Sequence, residues 1–208
     1  MTTVARAERH QLCDLALEVG GDAPTLCGDW DVKELVAHLL VRERSLVGAP
    51  GIIIAPLARL TDREIARTAR TNLPTLVARL RKARSLLGLP VIDPLVNTLE
   101  YFVHHEDIRR AQATWEPRRL DADTTATLWR AISVTGRGLV RPAGVPVRIH
   151  DVDTGKTATL RGGDDPVTIS GPTSEIVMFL HGRRQTVGLR LTGPQASIQR
   201  LRDANLGI

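Results

Sequence analysis

Apolar residues return at helical spacing through the first half of the chain and at strand spacing only in the second. Leu12, Leu15, Ala16 and Val19 share one helical face and stop before Gly20-Gly21, which predicts an amphipathic helix over residues 4–19. A loop from Asp22 to Gly28 follows. Asp29 or Asp31 can cap a second helix, whose buried stripe is expected at Leu35, Val36, Leu39, Leu40 and Leu46. The apolar run Val47 to Leu60 contains Gly48, Pro50, Gly51 and Pro56 and reads as a loop. Thr61-Asp62-Arg63-Glu64 fits a capping box, so a helix is expected to start there and to break at Pro74. Asn72 and Pro74 begin a further segment through Leu76, Leu80, Ala83 and Leu87, ended by Gly88 and Pro90. Asp93-Pro94 repeats the start signal for a helix over about residues 94–113, with Leu95, Val96, Leu99, Phe102 and Val103 on its core side.

After Trp115-Glu116-Pro117 the pattern changes. Residues 123–138 read as one more helix, through Leu128, Trp129 and Ile132. Val145, Val147 and Ile149 then alternate with polar residues as a strand, Asp153-Thr154-Gly155-Lys156 makes a turn, and residues 157–160 return. A short strand at 167–170, a helix at 172–182, a strand at 187–192 and a helix at 194–204 complete the chain. The expected architecture is α+β: an N-terminal four-helix bundle over residues 1–116, followed by a small α/β domain over 117–208.

Composition narrows the classes. A chain of 208 residues that is 42% hydrophobic can bury a sizeable core, so a folded state is expected. The balance of 28 basic against 23 acidic residues raises the question of nucleic acid. Charges nevertheless alternate in sign, as in Asp62-Arg63-Glu64, and aromatic residues are only 3%, which argues against that partner. Cys13 and Cys27 do not form a CxxC pair, and two cysteines cannot staple a domain of this size; free thiols are expected. Met1 to Leu12 lacks the apolar core of a signal peptide, and Val47 to Leu60 is too short to span a bilayer. A soluble cytoplasmic protein is the expectation. The chain shows no internal repeat, phosphate-binding glycine loop or serine nucleophile motif.

The chemistry concentrates in Glu100-Tyr101-Phe102-Val103-His104-His105-Glu106-Asp107-Ile108-Arg109-Arg110. In a helix, Glu100, His104 and Asp107 lie along one side of the rod, whereas His105 points about 100° away. A carboxylate and an imidazole one turn apart suit a divalent ion, and His38 on the second helix is the obvious third ligand. Asp107 has three readings: a fourth ligand, the acceptor that orients an imidazole, or a local salt-bridge partner of Arg110. Arg42, one turn after His38, is a candidate cation for a carboxylate-bearing cofactor or substrate, and Arg183-Arg184 a looser one.

Trp30 through Leu39, with His38, and Glu100 through Arg110 resemble the two motifs of the actinobacterial metal-binding proteins related to mycothiol-dependent maleylpyruvate isomerase, within the wider DinB-like superfamily. The resemblance covers nearly the whole chain. It implies a DinB-like metal-binding four-helix bundle followed by a smaller α/β domain, with a zinc-type divalent metal held at the positions of His38, Glu100 and His104. It also implies a low-molecular-weight thiol, mycothiol, as co-substrate, and a small electrophile that is isomerised or takes up the sulfur. Two function classes follow: a metal-assisted, thiol-dependent isomerase or transferase, and a non-catalytic protein whose metal is structural or sensing and which binds a small ligand. An open coordination position separates them, because a structural site would be closed by a fourth protein ligand such as Asp107.

Overall fold

The computed structural model describes residues 3–44, 58–83 and 93–207. Its chain divides into two compact units, Met1–Glu116 and Pro117–Ile208. The first is helical and the second is α+β, the class expected.

Unit 1 contains five helices among the described residues: α1 (Val4–Val19), α2 (Val32–Arg44), α3 (Ala58–Thr68), α4 (Leu73–Lys82) and α5 (Asp93–Arg110). Helix α1 packs against α5 and α4, α2 packs against α4, and α3 lies on α2 as an addition to the bundle. Leu12, Cys13 and Ala16 of α1 meet Leu35, Val36 and Leu39 of α2, Leu76 and Leu80 of α4, and Tyr101 and Ile108 of α5 in one core. Each large aliphatic side chain so buried contributes about 1.5–3 kcal/mol relative to exposure.

Local signals explain most of the starts. Thr3 accepts a hydrogen bond from the Arg6 amide at the head of α1, and Asn72 accepts from Thr75 at the head of α4, which carries Pro74 in its first turn. The capping box lies elsewhere than expected. The Glu34 amide donates to Asp31 Oδ1 at 2.8 Å and the Asp31 amide to Glu34 Oε2 at 3.1 Å, a reciprocal pair at the start of α2. Thr61, by contrast, is inside α3, which begins at Ala58, and its side chain is buried. The sequence there contained a cap-like string, but the helix had already started one turn earlier. Most of the run from Val47 to Leu60, with Leu46, Leu87, Gly88 and Pro90, lies outside the described residues; residues 58–60 are helical.

Helix α5 is unusual because its polar residues are inside. Thr98, His105, Glu106, Asp107 and Arg110 are all buried, together with Leu99, Phe102 and Val103. Such a helix has no solvent face to make polar, so its pattern is not the stripe of an amphipathic surface helix. Leu95 and Val96, expected in the core, are half-buried.

Unit 2 begins with α6 (Ala122–Leu139), capped by Asp121, which accepts from the Thr124 amide. A single 3-10 turn (Arg141–Ala143) leads to β1 (Val147–Asp151), β2 (Thr157–Arg161), β3 (Val167–Gly171), α7 (Thr173–Leu180), β4 (Arg190–Thr192) and α8 (Gln195–Asp203). The sheet order is β2-β1-β3-β4, with β1 and β3 parallel and both outer pairings antiparallel. Val147, Ile149, Val167 and Ile169 are fully buried, while Arg148 faces solvent, the alternation that the sequence predicted. Helix α6 reaches β2 closely at Gly136, where a side-chain carbon would come within 3.1 Å of Leu160. Strand β4 is shorter than the expected 187–192.

Candidate metal centre

Three donor atoms from two helices converge in unit 1. Glu100 Oε1 lies 3.4 Å from His38 Nε2 and 3.4 Å from His104 Nε2. These ligand atoms all lie within 4.8 Å of one another. Helix α5 places Glu100 and His104 on one face by their four-residue spacing, and α2 carries His38 across to them. The side chains are mostly enclosed, with 11% of His38, 23% of Glu100 and 12% of His104 exposed.

The spacing of the two imidazole-to-carboxylate contacts is long for a hydrogen bond and fits donors that share an ion. Hydrogen bonds between nitrogen and oxygen fall at about 2.7–3.2 Å, whereas donors held tetrahedrally at about 2.0–2.1 Å from one ion lie about 3.4 Å apart. His38 Nδ1 is buried without a hydrogen-bond partner among the described residues. The His38 ring stacks at a tilt on Trp30, with centroids 5.1 Å apart, and meets the His104 ring edge-on at 5.5 Å.

Electrostatics prepare the three groups differently. Burial pushes His38 below its usual value against the opposing hydrogen bond from Glu100, so its ring favours the neutral, ligating form. Burial works to raise Glu100, but Arg42 and the two imidazoles outweigh it and hold the carboxyl well below the usual range. Burial also works against the charged form of His104, yet the hydrogen bonds with Asp107, Cys27 and Glu100 keep it well above the ordinary histidine value. His104 is therefore the group whose proton an ion must displace.

Arg42 Nε is 3.4 Å from Glu100 Oε1, and its Nη1 donates to Asn97 Oδ1 at 2.6 Å. The structure thus sets this arginine against the candidate ligand Glu100. Arg183 and Arg184 belong to unit 2 and donate to the backbone carbonyls of His181 and Arg202. His105 turns away, as its position on the helix requires, and meets Glu8. Arg110 pairs with Glu106 at 2.7 Å. Asp107 Oδ2 lies 2.9 Å from His104 Nδ1, the orienting contact that was one of its three readings, and accepts from Cys27 Sγ at 3.0 Å.

Cys27 is the residue that sequence reasoning passed over. It sits in the loop before α2, and a loop residue shares no helical period with the motif it joins. Its neighbour supplies the cause of the contact, because the Leu26 amide donates to the Asp107 carbonyl at 3.2 Å and draws the loop onto α5.

A helical bundle with three inward-facing metal-type donors, in a chain that continues into an α+β unit, defines the class of protein. Residues 5–88 match the family model "Mycothiol maleylpyruvate isomerase N-terminal domain". The fold of the chain is that of two solved structures, a mycothiol-dependent maleylpyruvate isomerase and a histidine-to-alanine mutant of that enzyme. Each is 16% identical, with 91% of this chain and 90% of the other covered and a TM-score of 0.63. No curated protein matches the chain. Among the described residues no helix is long and apolar enough to cross a membrane.

Proposed function

We propose that unit 1 holds one zinc-type divalent ion through His38, Glu100 and His104, and that the protein is a cytoplasmic, mycothiol-dependent isomerase or transferase acting on a small electrophile. The observation that carries this reading is the convergence of His38 Nε2, Glu100 Oε1 and His104 Nε2, with the carboxylate oxygen 3.4 Å from each imidazole nitrogen and the ligand atoms within 4.8 Å of one another. The family model that residues 5–88 match and the likeness of the whole chain to a mycothiol-dependent maleylpyruvate isomerase support the thiol and the electrophile.

An ion held there supplies acidity, lowering the pKa of a low-molecular-weight thiol so that it is presented as thiolate. The chain's own residues do the rest. Arg42 keeps Glu100 ionised and oriented. Asp107 accepts from His104 Nδ1, which fixes the ring with Nε2 directed at Glu100. That placement bears on the choice between a catalytic and a structural role. Asp107 addresses the opposite nitrogen of the ring, so it serves as an orienting acceptor and leaves positions open on the Nε2 side.

The test is the metal content of protein purified without chelator or histidine tag, beside His38→Ala and His104→Ala, followed by thiol-dependent turnover with mycothiol and maleylpyruvate. Near-stoichiometric metal that both substitutions abolish, with turnover that needs metal and thiol together, is the expected result. A wild-type protein that is metal-free and cannot be loaded overturns the reading.

A further inference from the structure

The second ring nitrogen of His104 faces a second set of donors. Cys27 Sγ is 3.5 Å from His104 Nδ1 and 3.0 Å from Asp107 Oδ2, and Asp107 Oδ2 is 2.9 Å from Nδ1. We propose that Cys27, Asp107 and His104 Nδ1 form a second metal site, selective for thiophilic divalent cations and separate from the His38, Glu100 and His104 Nε2 set.

Geometry comes first. With bonds of about 2.3 Å to sulfur and about 2.0–2.2 Å to nitrogen and oxygen, tetrahedral donors lie about 3.3–3.6 Å apart. The sulfur-to-nitrogen spacing already has that value, and the other two need to open by roughly half an ångström.

The donors are also held in place. Cys27 lies in a loop pinned on both sides: its own amide donates to Thr25 Oγ1 at 3.1 Å, Thr25 Oγ1 donates to the Trp30 carbonyl at 2.7 Å, and the Leu26 amide is bonded to Asp107. Asp107 is fully buried and Cys27 half-buried. A thiolate, a carboxylate and an imidazole together favour a softer ion than two imidazoles and a carboxylate do. Binding releases the Cys27 thiol proton and frees the Nδ1 lone pair, and these protons pass to solvent.

The two sets share a ring but no donor atom. A neutral imidazole offers one lone pair in its plane, so its tautomer selects the face: Nε2 for the Glu100 side, Nδ1 for the Cys27 side. The chain thereby sorts ions by softness across a single histidine. This inference stands apart from the proposed function, because only the second face contains sulfur.

The experiment is titration of the full-length protein with cadmium alone, read by the ultraviolet thiolate-to-metal charge-transfer absorption. Wild type is expected to develop the band with a single equivalent. Cys13→Ser, His38→Ala and Glu100→Gln should retain it, Cys27→Ser should lose it, and Asp107→Asn, which keeps the thiol, should weaken cadmium binding at least about tenfold. No band in wild type, a band that survives Cys27→Ser, or one that vanishes in Cys13→Ser overturns the proposal. Retention of the band in His38→Ala while zinc binding is lost separates the two faces.

Discussion

Two adjacent histidines on α5 meet opposite fates. His105 joins Glu8 of α1 through one short contact of 2.8 Å, and one turn earlier Tyr101 donates to Glu43 of α2 at 2.8 Å. Glu106 is bonded to both Arg109 and Arg110. These are short pairs at ordinary hydrogen-bond length, although Glu43 Oε2 is buried without a hydrogen-bond partner among the described residues. On the His104 side, one carboxylate oxygen stands 3.4 Å from three nitrogens at once. Short pairs of this kind describe architecture; the longer contacts around Glu100 Oε1 are the geometry on which the proposed metal site rests.

The largest test of that difference is a pair of substitutions. His38→Ala should abolish metal retention while costing the metal-free chain about 1 kcal/mol. His105→Ala should do the reverse, destabilising the fold by roughly 3 kcal/mol because it removes a short contact to the buried Glu8 carboxylate, and leaving metal per folded chain unchanged. Metal analysis together with urea unfolding of both variants reads the two effects. Equal metal loss from both would erase the distinction between the faces.

Asp107→Asn probes the site one step outward. It replaces the carboxylate that orients His104 through Nδ1, and metal affinity at the His38, Glu100 and His104 set should fall about 10–100-fold, or about 1.4–2.8 kcal/mol. Competition with a chelator of known affinity measures it. An unchanged affinity would mean that the ring is held by its packing alone.

How much of this was legible in the sequence depends on what positions each residue. Glu100 and His104 follow from helical period, since four residues bring two side chains to one face whatever else happens. His38 needed the further premise that α2 and α5 belong to one bundle, which the apolar stripes implied. Asp107 was placed on the correct side of the rod, and of its three readings the acceptor beside an imidazole is the contact with His104. Cys27 was out of reach: its position depends on a backbone bond between residues far apart in sequence, Leu26 to Asp107, and no local pattern encodes such a bond. The misplaced capping box has the same origin. Thr61 to Glu64 satisfies the string, but tertiary packing extends α3 backwards and buries the threonine.

The smallest expected effect concerns protons and follows from how unequally the three candidate ligands are prepared. Glu100 is held below the usual carboxylate range and is ionised throughout the neutral region, and His38 is lowered by burial and is already neutral at pH 7. Only His104, raised by Asp107, Cys27 and Glu100 against the pull of burial, must give up a proton to an ion. Metal affinity should therefore rise about tenfold per pH unit up to the folded value of His104 and level off above it. The stability of the metal-free chain should respond in the opposite direction. The folded value lies above the unfolded value of about 6.5, so the favourable contribution is complete below that pH and is lost as pH rises through the folded value. Asp107→Asn weakens the cause of the shift and should move both transitions to lower pH. Chelator competition and urea unfolding at matched pH values read the two curves. A slope of two protons per ion would mean that His38 is protonated as well, and no slope at all would remove His104 from the ligand set.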